Sequence, residues 1–301
     1  MNQRAASFFR KQQDEICSTL EAVDGTGRFI EDCWDYAPGD GPGQGGGRSR
    51  VLAGGAVFEK AGVNVSELHG ELSTRLAERL EVSDRRFFAT GVSLVVHPES
   101  PWVPTVHMNL RYLQLFDAAG DPGRAWFGGG ADLTPYYPDD QAAVLFHQAL
   151  KDACDPYADD AYVRFKRACD EYFHLPHRGE ARGIGGIFFD YLEDAPERTF
   201  EFVQAVGAAF NRVYPAIADA RKKQTWTPEQ REWQLHRRGR YVEFNLIHDR
   251  GTLFGLETKG RTESILMSLP PLVRWTYDQQ PAPDSPEERL LELLREPREW
   301  L

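Results

Sequence analysis

Long apolar runs are missing from this chain. No stretch approaches the ~18 uninterrupted apolar residues that a membrane-spanning helix needs, and the opening residues Met1 to Lys11 have no apolar segment of the kind a secretory leader carries. The expectation is a cytoplasmic protein with no membrane span. Cysteine is scarce: Cys17, Cys33, Cys154 and Cys169 show no CxxC spacing, which argues against a metal knuckle or a disulfide scaffold and for reduced, mostly buried thiols. Positive charge is not in excess either. With a formal net charge of -11, the surface as a whole is ill suited to nucleic acid or an anionic membrane, so any anionic ligand has to be met by individual arginines. No GxxxxGK[ST] phosphate loop occurs. Gly183, Gly185 and Gly186 fail the dinucleotide register, which would need a glycine where Phe188 stands.

What is present fits one domain over residues 1–301, with a hydrophobic content of 41% and no Pro/Ser linker or internal repeat to divide it. Phe9, Ile16, Leu20 and Val23 fall at helical intervals and predict an amphipathic helix over 3–23, ended by Asp24-Gly25. The glycine-rich stretch 38–47 reads as a lid or a plain surface loop. Residues 51–128 alternate like strands separated by turns, 139–174 and 196–238 have helical periodicity, and 239–248 returns to alternation. Strands from the first and last thirds are expected to pair in one antiparallel sheet with helices packed on it, an α+β fold, because regular βαβ spacing is absent.

The richest segment is Thr105-Val-His-Met-Asn-Leu-Arg-Tyr-Leu-Gln-Leu-Phe116. On a strand, successive side chains face opposite ways, so His107, Asn109 and Arg111 share one face while Val106, Met108, Leu110 and Tyr112 share the other. Upstream, Ser93, Val95 and His97 share a face in the same manner, so two neighbouring strands offer an acid/base, an amide, a hydroxyl and a fixed cation to one pocket. In Trp126-Phe-Gly-Gly-Gly-Ala-Asp132, three glycines are expected to deliver Asp132 on a turn, where its carboxylate either accepts protons from ligand N-H groups or caps the turn. Arg178 and Arg182 read as carboxylate or phosphate ligands, or as surface ion pairs. Asp249-Arg250-Gly251 reads as a turn between strands and Thr262 as a helix start. Forks at Arg111, Arg182, Arg250 and Arg261 suit a small molecule bearing several acid groups around its rim. His97, His107, His147 and His177 come from separate elements without HExxH or facial-triad spacing, and each is either a hydrogen-bonded interior histidine or part of a scattered cation site.

Together, Val57-Phe-Glu-Lys-Ala-Gly-Val-Asn64, the His107 strand, Trp126-Phe-Gly-Gly-Gly130, His177-Arg-Gly-Glu180, Gly185-Gly-Ile-Phe-Phe-Asp190, Gly239-Arg-Tyr-Val-Glu-Phe-Asn245 and Arg261-Thr-Glu-Ser-Ile-Leu-Met-Ser268 resemble the oxygen-dependent coproporphyrinogen III oxidases of haem synthesis. The resemblance implies a large, mostly antiparallel sheet of about seven strands flanked by helices on both faces. It also implies a homodimer with its contact around 241–276, and conversion of two propionates of a tetrapyrrole to vinyl groups with O2 as co-substrate, releasing CO2 and H2O2 without an organic cofactor. Carried over by position, it makes His107 a proton donor and places Asp132, Arg111 and Arg182 in catalysis. Ser93, Asn109, Leu110, Arg111, Lys259, Gly260 and Arg261 would contact substrate, and His97, His107, His147 and His177 would ligate a divalent metal, Mn or Fe. Lys259 stands where the family has glycine, and Tyr191 where it has a second aspartate. The alternatives are a metal-dependent oxygenase acting on another substrate and a tetrapyrrole carrier that consumes no O2.

Overall fold

The computed structural model of the protein describes residues 1–301 except 37–43, 73, 75–76, 79–81, 83–84, 118 and 258–259. Helix α1 (Asn2–Asp24) buries Phe9, Ile16 and Leu20 along one stripe and stops at Gly25, whose φ of 85° is open to glycine at little cost. Six strands follow: β1 (Ile30–Asp35), β2 (Gln44–Ala53), β3 (Phe58–Glu71), β4 (Arg86–Pro98), β5 (Thr105–Phe116) and β6 (Pro122–Thr134). Helices α2 (Asp140–Cys154) and α3 (Ala161–Tyr172), and a short ribbon of β7 (His174–Leu175) with β8 (Glu180–Ala181), precede β9 (Gly186–Leu192). The chain then runs through α4 (Pro196–Arg221), α5 (Pro228–Ile247), α6 (Arg250–Glu257), α7 (Thr262–Leu266) and α8 (Pro286–Arg295).

Seven strands form one antiparallel sheet in the order β1-β2-β3-β4-β5-β6-β9. The α+β expectation holds in its outline. One face carries Val63, Val92, Leu94, Val96, Val106, Met108, Leu110, Phe127 and Leu133, which join Phe9, Ile16, Leu20, Phe210 and Tyr214 of α1 and α4 in the main core. Alternation of apolar residues on these strands is what this one-sided burial demands. The other face is apolar at one end, where Leu68, Phe87, Leu113, Leu115 and Trp126 pack in a second cluster, and polar around Ser93, His107 and Asn109. Helix α5 crosses its end, fastened by Gln234 and Arg238 donating to the carbonyl of Pro98 at 3.0 and 2.7 Å and by Arg231 and Arg238 on Glu59.

Several local expectations need correction. Residues 239–248 are not a strand: all but His248 belong to the C-terminal half of α5, so the last third gives the sheet nothing and the seventh strand is β9. Helix α5 is nucleated by a capping box in which Thr227 and Gln230 satisfy each other's backbone N-H groups, and it is buried on several sides, which blurs its helical period into alternation. Asp249 accordingly joins two helices, and Arg250 and Gly251 open the second. Gln44-Gly-Gly-Gly47 is not loop but the start of β2, while residues 38–43 of that stretch lie outside the described residues. Asp132 sits inside β6, not on a turn. The predicted helix starting at Thr262 is present as α7.

Candidate active site

Sheet register assembles the site. Ser93 pairs with Asn109, Val95 with His107 and Gly91 with Arg111 across β4 and β5; His107 pairs with Asp132, Asn109 with Gly130 and Arg111 with Gly128 across β5 and β6. Cross-strand partners share a face, so Ser93, His107, Asn109, Arg111 and Asp132 all belong to the polar side. The glycines at 91, 128 and 130 keep the floor between them low. Phe188, opposite Gly130 on β9, supplies an aromatic wall. Leu110 faces the other way and is fully buried in the core, so it can meet a ligand on this face only through its backbone.

His107 and Asp132 are the chemical centre. The imidazole Nδ1 donates to Asp132 Oδ1 at 2.9 Å, which puts the proton on Nδ1 and leaves Nε2 with its lone pair; among the described residues Nε2 has no hydrogen-bond partner. The ring is 20% exposed, whereas the Asp132 side chain is 1% exposed. Behind it, Arg182 Nη2 donates to both oxygens of Asp132 at 2.8 Å, and Arg182 Nη1 donates to Asn245 Oδ1 at 2.7 Å. The guanidinium is enclosed by Phe173, Tyr241 and Phe244, with ring centroids at 4.1, 4.5 and 4.8 Å. Burial pushes the Asp132 carboxyl upward, but the Arg182 charge and the His107 hydrogen bond outweigh it and hold the acid below its ordinary range. Asp132 is therefore an ionised carboxylate at neutral pH, with both oxygens already engaged. An anion in that position stabilises an imidazolium when Nε2 takes up a proton.

The arginine forks are unequal. Arg111 lies half exposed on the floor, with Nη1 donating to Asn109 Oδ1 and Nη2 against Asp190. Arg250 spreads over Tyr172 and Phe188 and pairs with no carboxylate among the described residues. Arg261 bonds Asp32 and Ser264 through its guanidinium, and its backbone N-H donates to Tyr36. Arg182, expected among the ligand forks, is instead committed inside the protein to Asp132. Arg178 is a surface pair with Glu243. Gly260 donates to the carbonyl of Gly255 beside α7, and Lys259 lies outside the described residues.

The four histidines do not assemble into a metal centre. His97 is fully buried, with Nε2 donating to the carbonyl of Ser268 at 2.9 Å and Nδ1 accepting from Thr105 at 3.3 Å. His147 is equally committed: Nε2 donates to the carbonyl of Ile184 at 3.1 Å and Nδ1 accepts from Tyr162 at 2.9 Å. His177 lies on the outside between His248 and Glu243. Burial, assisted by Arg238, pushes the basicity of His97 well down, and burial pushes His147 down to about 4, so both are neutral interior groups. Among the described residues no three His, Cys, Asp or Glu side chains gather to hold an ion. The donor set does not fit the expected ligation.

Asp190 and Asn245 were not singled out by the sequence, nor was the cage of Phe173, Tyr241 and Phe244. Reading Tyr241-Val-Glu-Phe-Asn245 with a period of 3.6 would have placed Tyr241, Phe244 and Asn245 on one helical face. Cavities of about 530 and 500 Å³ exist elsewhere, along α3 and the C-terminal segment, lined by Lys166, Asp170, Arg289 and Glu299. They share no residue with the partly exposed row of Ser93, His107, Asn109 and Arg111, here termed the trough, and the chemistry-bearing groups lie on that row.

The family model described as Coproporphyrinogen III oxidase matches residues 4–300 of the chain. The chain belongs to that family and is an enzyme of haem biosynthesis that oxidatively decarboxylates coproporphyrinogen III, turning two propionate side chains into vinyl groups.

Proposed function

From that membership, we propose that the polar face of the sheet seats coproporphyrinogen III, that O2 is the electron acceptor, and that His107 is the proton-handling group. The observation that carries this is the His107 to Asp132 hydrogen bond, which fixes Nδ1-H inward and turns the basic Nε2 outward. For each propionate the balance is R-CH2-CH2-COO⁻ + O2 + H⁺ → R-CH=CH2 + CO2 + H2O2. The carboxylate leaves as CO2 with its electron pair forming the double bond, and the hydrogen lost from the adjacent carbon passes with two electrons to O2. His107 Nε2 takes a pyrrole N-H proton, which makes the reduced ring a better electron donor, and returns a proton as peroxide forms. Asp132 stabilises the imidazolium in between; it is the orienting partner and not the base itself, since Arg182 and His107 occupy both of its oxygens.

Arg111, Arg250 and Arg261 are the carboxylate forks of this reading, with Ser93 and Asn109 as neutral polar contacts. Orientation and proton management are what such an oxidisable substrate needs from the protein, and no organic cofactor is required. The histidines at 97, 147 and 177 serve as structural donors and acceptors in this scheme, not as ligands of a shared metal. The working unit is a homodimer. What supports it is the run of exposed apolar side chains Leu246, Ile247, Phe254, Leu256, Leu272 and Trp275, all inside the expected contact segment 241–276 and of a kind that monomers seldom leave in water. Among the described residues no helix is long and apolar enough to cross a membrane, and we place the enzyme in the cytoplasm.

Aerobic turnover of coproporphyrinogen III by the purified protein, with and without chelator, tests this. One O2 consumed and one H2O2 formed per vinyl group, unchanged by chelation, is the expected result. Vinyl formation without O2 uptake would overturn the choice of oxidant, and activity lost with chelator and restored by one metal would overturn the histidine assignment.

A further inference from the structure

Arg111 is a half-exposed arginine on a sheet face, a setting in which a long side chain ordinarily wanders. Here it is held on two sides. Nη1 donates to Asn109 Oδ1 at 2.8 Å, and Nη2 lies 2.8 Å from Asp190 Oδ2. The Asp190 side chain is only 19% exposed against 36% for Arg111, and its other oxygen accepts from the backbone N-H of Tyr191 at 3.1 Å.

Two backbone features mark this spot. Where β6 meets β9 the register slips between Phe127 and Gly129, and Tyr191, just past Asp190, has a φ of 53°. A bulky residue in the left-handed region is costly and persists where surrounding structure enforces it; bulges of this kind re-aim side chains beside active sites. Regular pairing of Gly130 with Phe188 and of Gly129 with Phe189 leads on to Asp190 opposite Gly128 on the trough side, and the bulge falls just beyond it, before the Phe127 to Leu192 pair. Gly128 is the third feature. A Cβ there would fall 2.5 Å from Asp190 Oδ1 and 2.8 Å from Arg111 Nε, so the ion pair lies directly across the glycine and only a residue without a side chain leaves room for it.

We propose that Asp190 is a positioning residue that, over Gly128, locks the Arg111 guanidinium flat on the trough floor so that its remaining N-H groups form a preset fork for one substrate carboxylate. The inference rests on the reading of the trough as the substrate seat. Asp190 and Asn109 together occupy one donor on each terminal nitrogen and leave the other three N-H groups of Arg111 for a ligand. Side-chain ordering is thus complete before binding, the usual source of affinity in a preorganised site. The next residue, Tyr191, offers no carboxylate, which leaves the clamp to Asp190 alone.

The test is fluorescence titration of the full chain with coproporphyrin III, the stable oxidised form of the substrate, on wild type, D190A, D190N, G128A, R111A and the D190A/R111A pair. D190A and G128A are expected to weaken binding about tenfold, with D190N between them and wild type, and in turnover D190A is expected to raise KM with kcat within about threefold. In the R111A background, D190A is expected to have no further effect. Wild-type binding by D190A overturns the proposal, as does an additive loss in the double variant, which would place the action of Asp190 elsewhere. Wild-type binding by R111A is a different failure: it removes Arg111, and the trough reading with it, from the substrate. D190N keeps the shape and one acceptor oxygen, which serves either Arg111 or the Tyr191 N-H but not both as the carboxylate does, so it carries the test if D190A folds poorly.

Discussion

Replacing Asp132 by asparagine separates two roles that coincide in the native residue. The amide retains one oxygen for Arg182 but presents an N-H group, and the side chain that must now meet that N-H is His107. The imidazole answers by accepting at Nδ1 and carrying its proton on Nε2, the atom that faces the trough. A base with its proton already in place cannot take one, so kcat is expected to fall by the whole general-base contribution, roughly 10²–10⁴-fold, or about 3–5 kcal/mol of barrier. Stability falls as well. Asp132 and Arg182 are 1% and 2% exposed in their side chains, and removing one member of a buried pair costs about 3–5 kcal/mol because the other is left uncompensated. Asparagine keeps one hydrogen bond to the guanidinium, which puts the loss near the lower end of that range. Steady-state vinyl formation gives the first quantity, urea unfolding the second, and ¹⁵N NMR of His107 the tautomer. The pair D132N/R182M serves as the control: removing both charges together is expected to recover much of the stability and none of the activity. Turnover of D132N within tenfold of wild type, with the proton found on Nε2, would refute the assignment of His107 as base; activity that returned along with stability in the double variant would refute the orienting role of Asp132.

Stability is expected to decline as the solution is acidified from about pH 6.5. The cause is His97, His147 and His236: burial first, then nearby arginines for His97 and His236 and Lys166 for His147, press all three below their ordinary value, His147 and His236 to about 4. In that interval the unfolded chain binds protons that the folded one refuses, so unfolding free energy rises with pH by about 1.4 kcal/mol per unit for each such group; urea midpoints flat between pH 7 and 5 would contradict this. Asp24 acts at lower pH. Its carboxylate accepts from the N-H groups of Gly27, Ala56, Val57 and Phe58, which overcome its burial and hold it at about 2; its contribution, intact above about pH 4, disappears as pH falls toward 2, and D24N is expected to lose that acid limb. The dimer should dissociate when charge is placed on its apolar surface: L246E/F254E is expected to sediment as a folded monomer where wild type sediments as a dimer, and an unaltered dimer would move the interface away from this face.

Which parts of this site the sequence revealed follows from how locally each is determined. Strand alternation is a property of neighbouring residues, so the pairing of polar and apolar faces on β4 and β5 was readable, and with it the row of Ser93, His107, Asn109 and Arg111. Register is not local. That His107 would stand opposite Asp132 depends on how β5 and β6 meet across their turn, and three glycines before Asp132 suggested a bend where the fold makes a continuous strand. Helix α5 misled for another reason: it is buried against the sheet end, Arg182 and the β7-β8 ribbon at once, and its buried positions include Gln234, His236, Arg237, Arg238 and Asn245, so burial does not follow an apolar stripe of helical period. Losing α5 also hid Tyr241, Phe244 and Asn245, which only the helical reading brings together around Arg182. Arg182 shows the limit most clearly. From composition, an arginine in a protein expected to bind a polycarboxylate is a ligand; in the fold it is 3% exposed, and its carboxylate partner is Asp132, fifty positions away along the chain. Buried charges are paired because desolvation leaves them no alternative, yet which arginine is buried is decided by the packing of Phe173, Tyr241 and Phe244 from two separate segments. The same argument sorts the histidines. Chemistry made four of them eligible as ligands, but a metal needs free nitrogens converging on one point, and the core had already assigned both nitrogens of His97 and of His147 to carbonyls and hydroxyls. His107 is distinguished from those two by a single nitrogen left facing the trough, and that difference is visible only once the chain is folded.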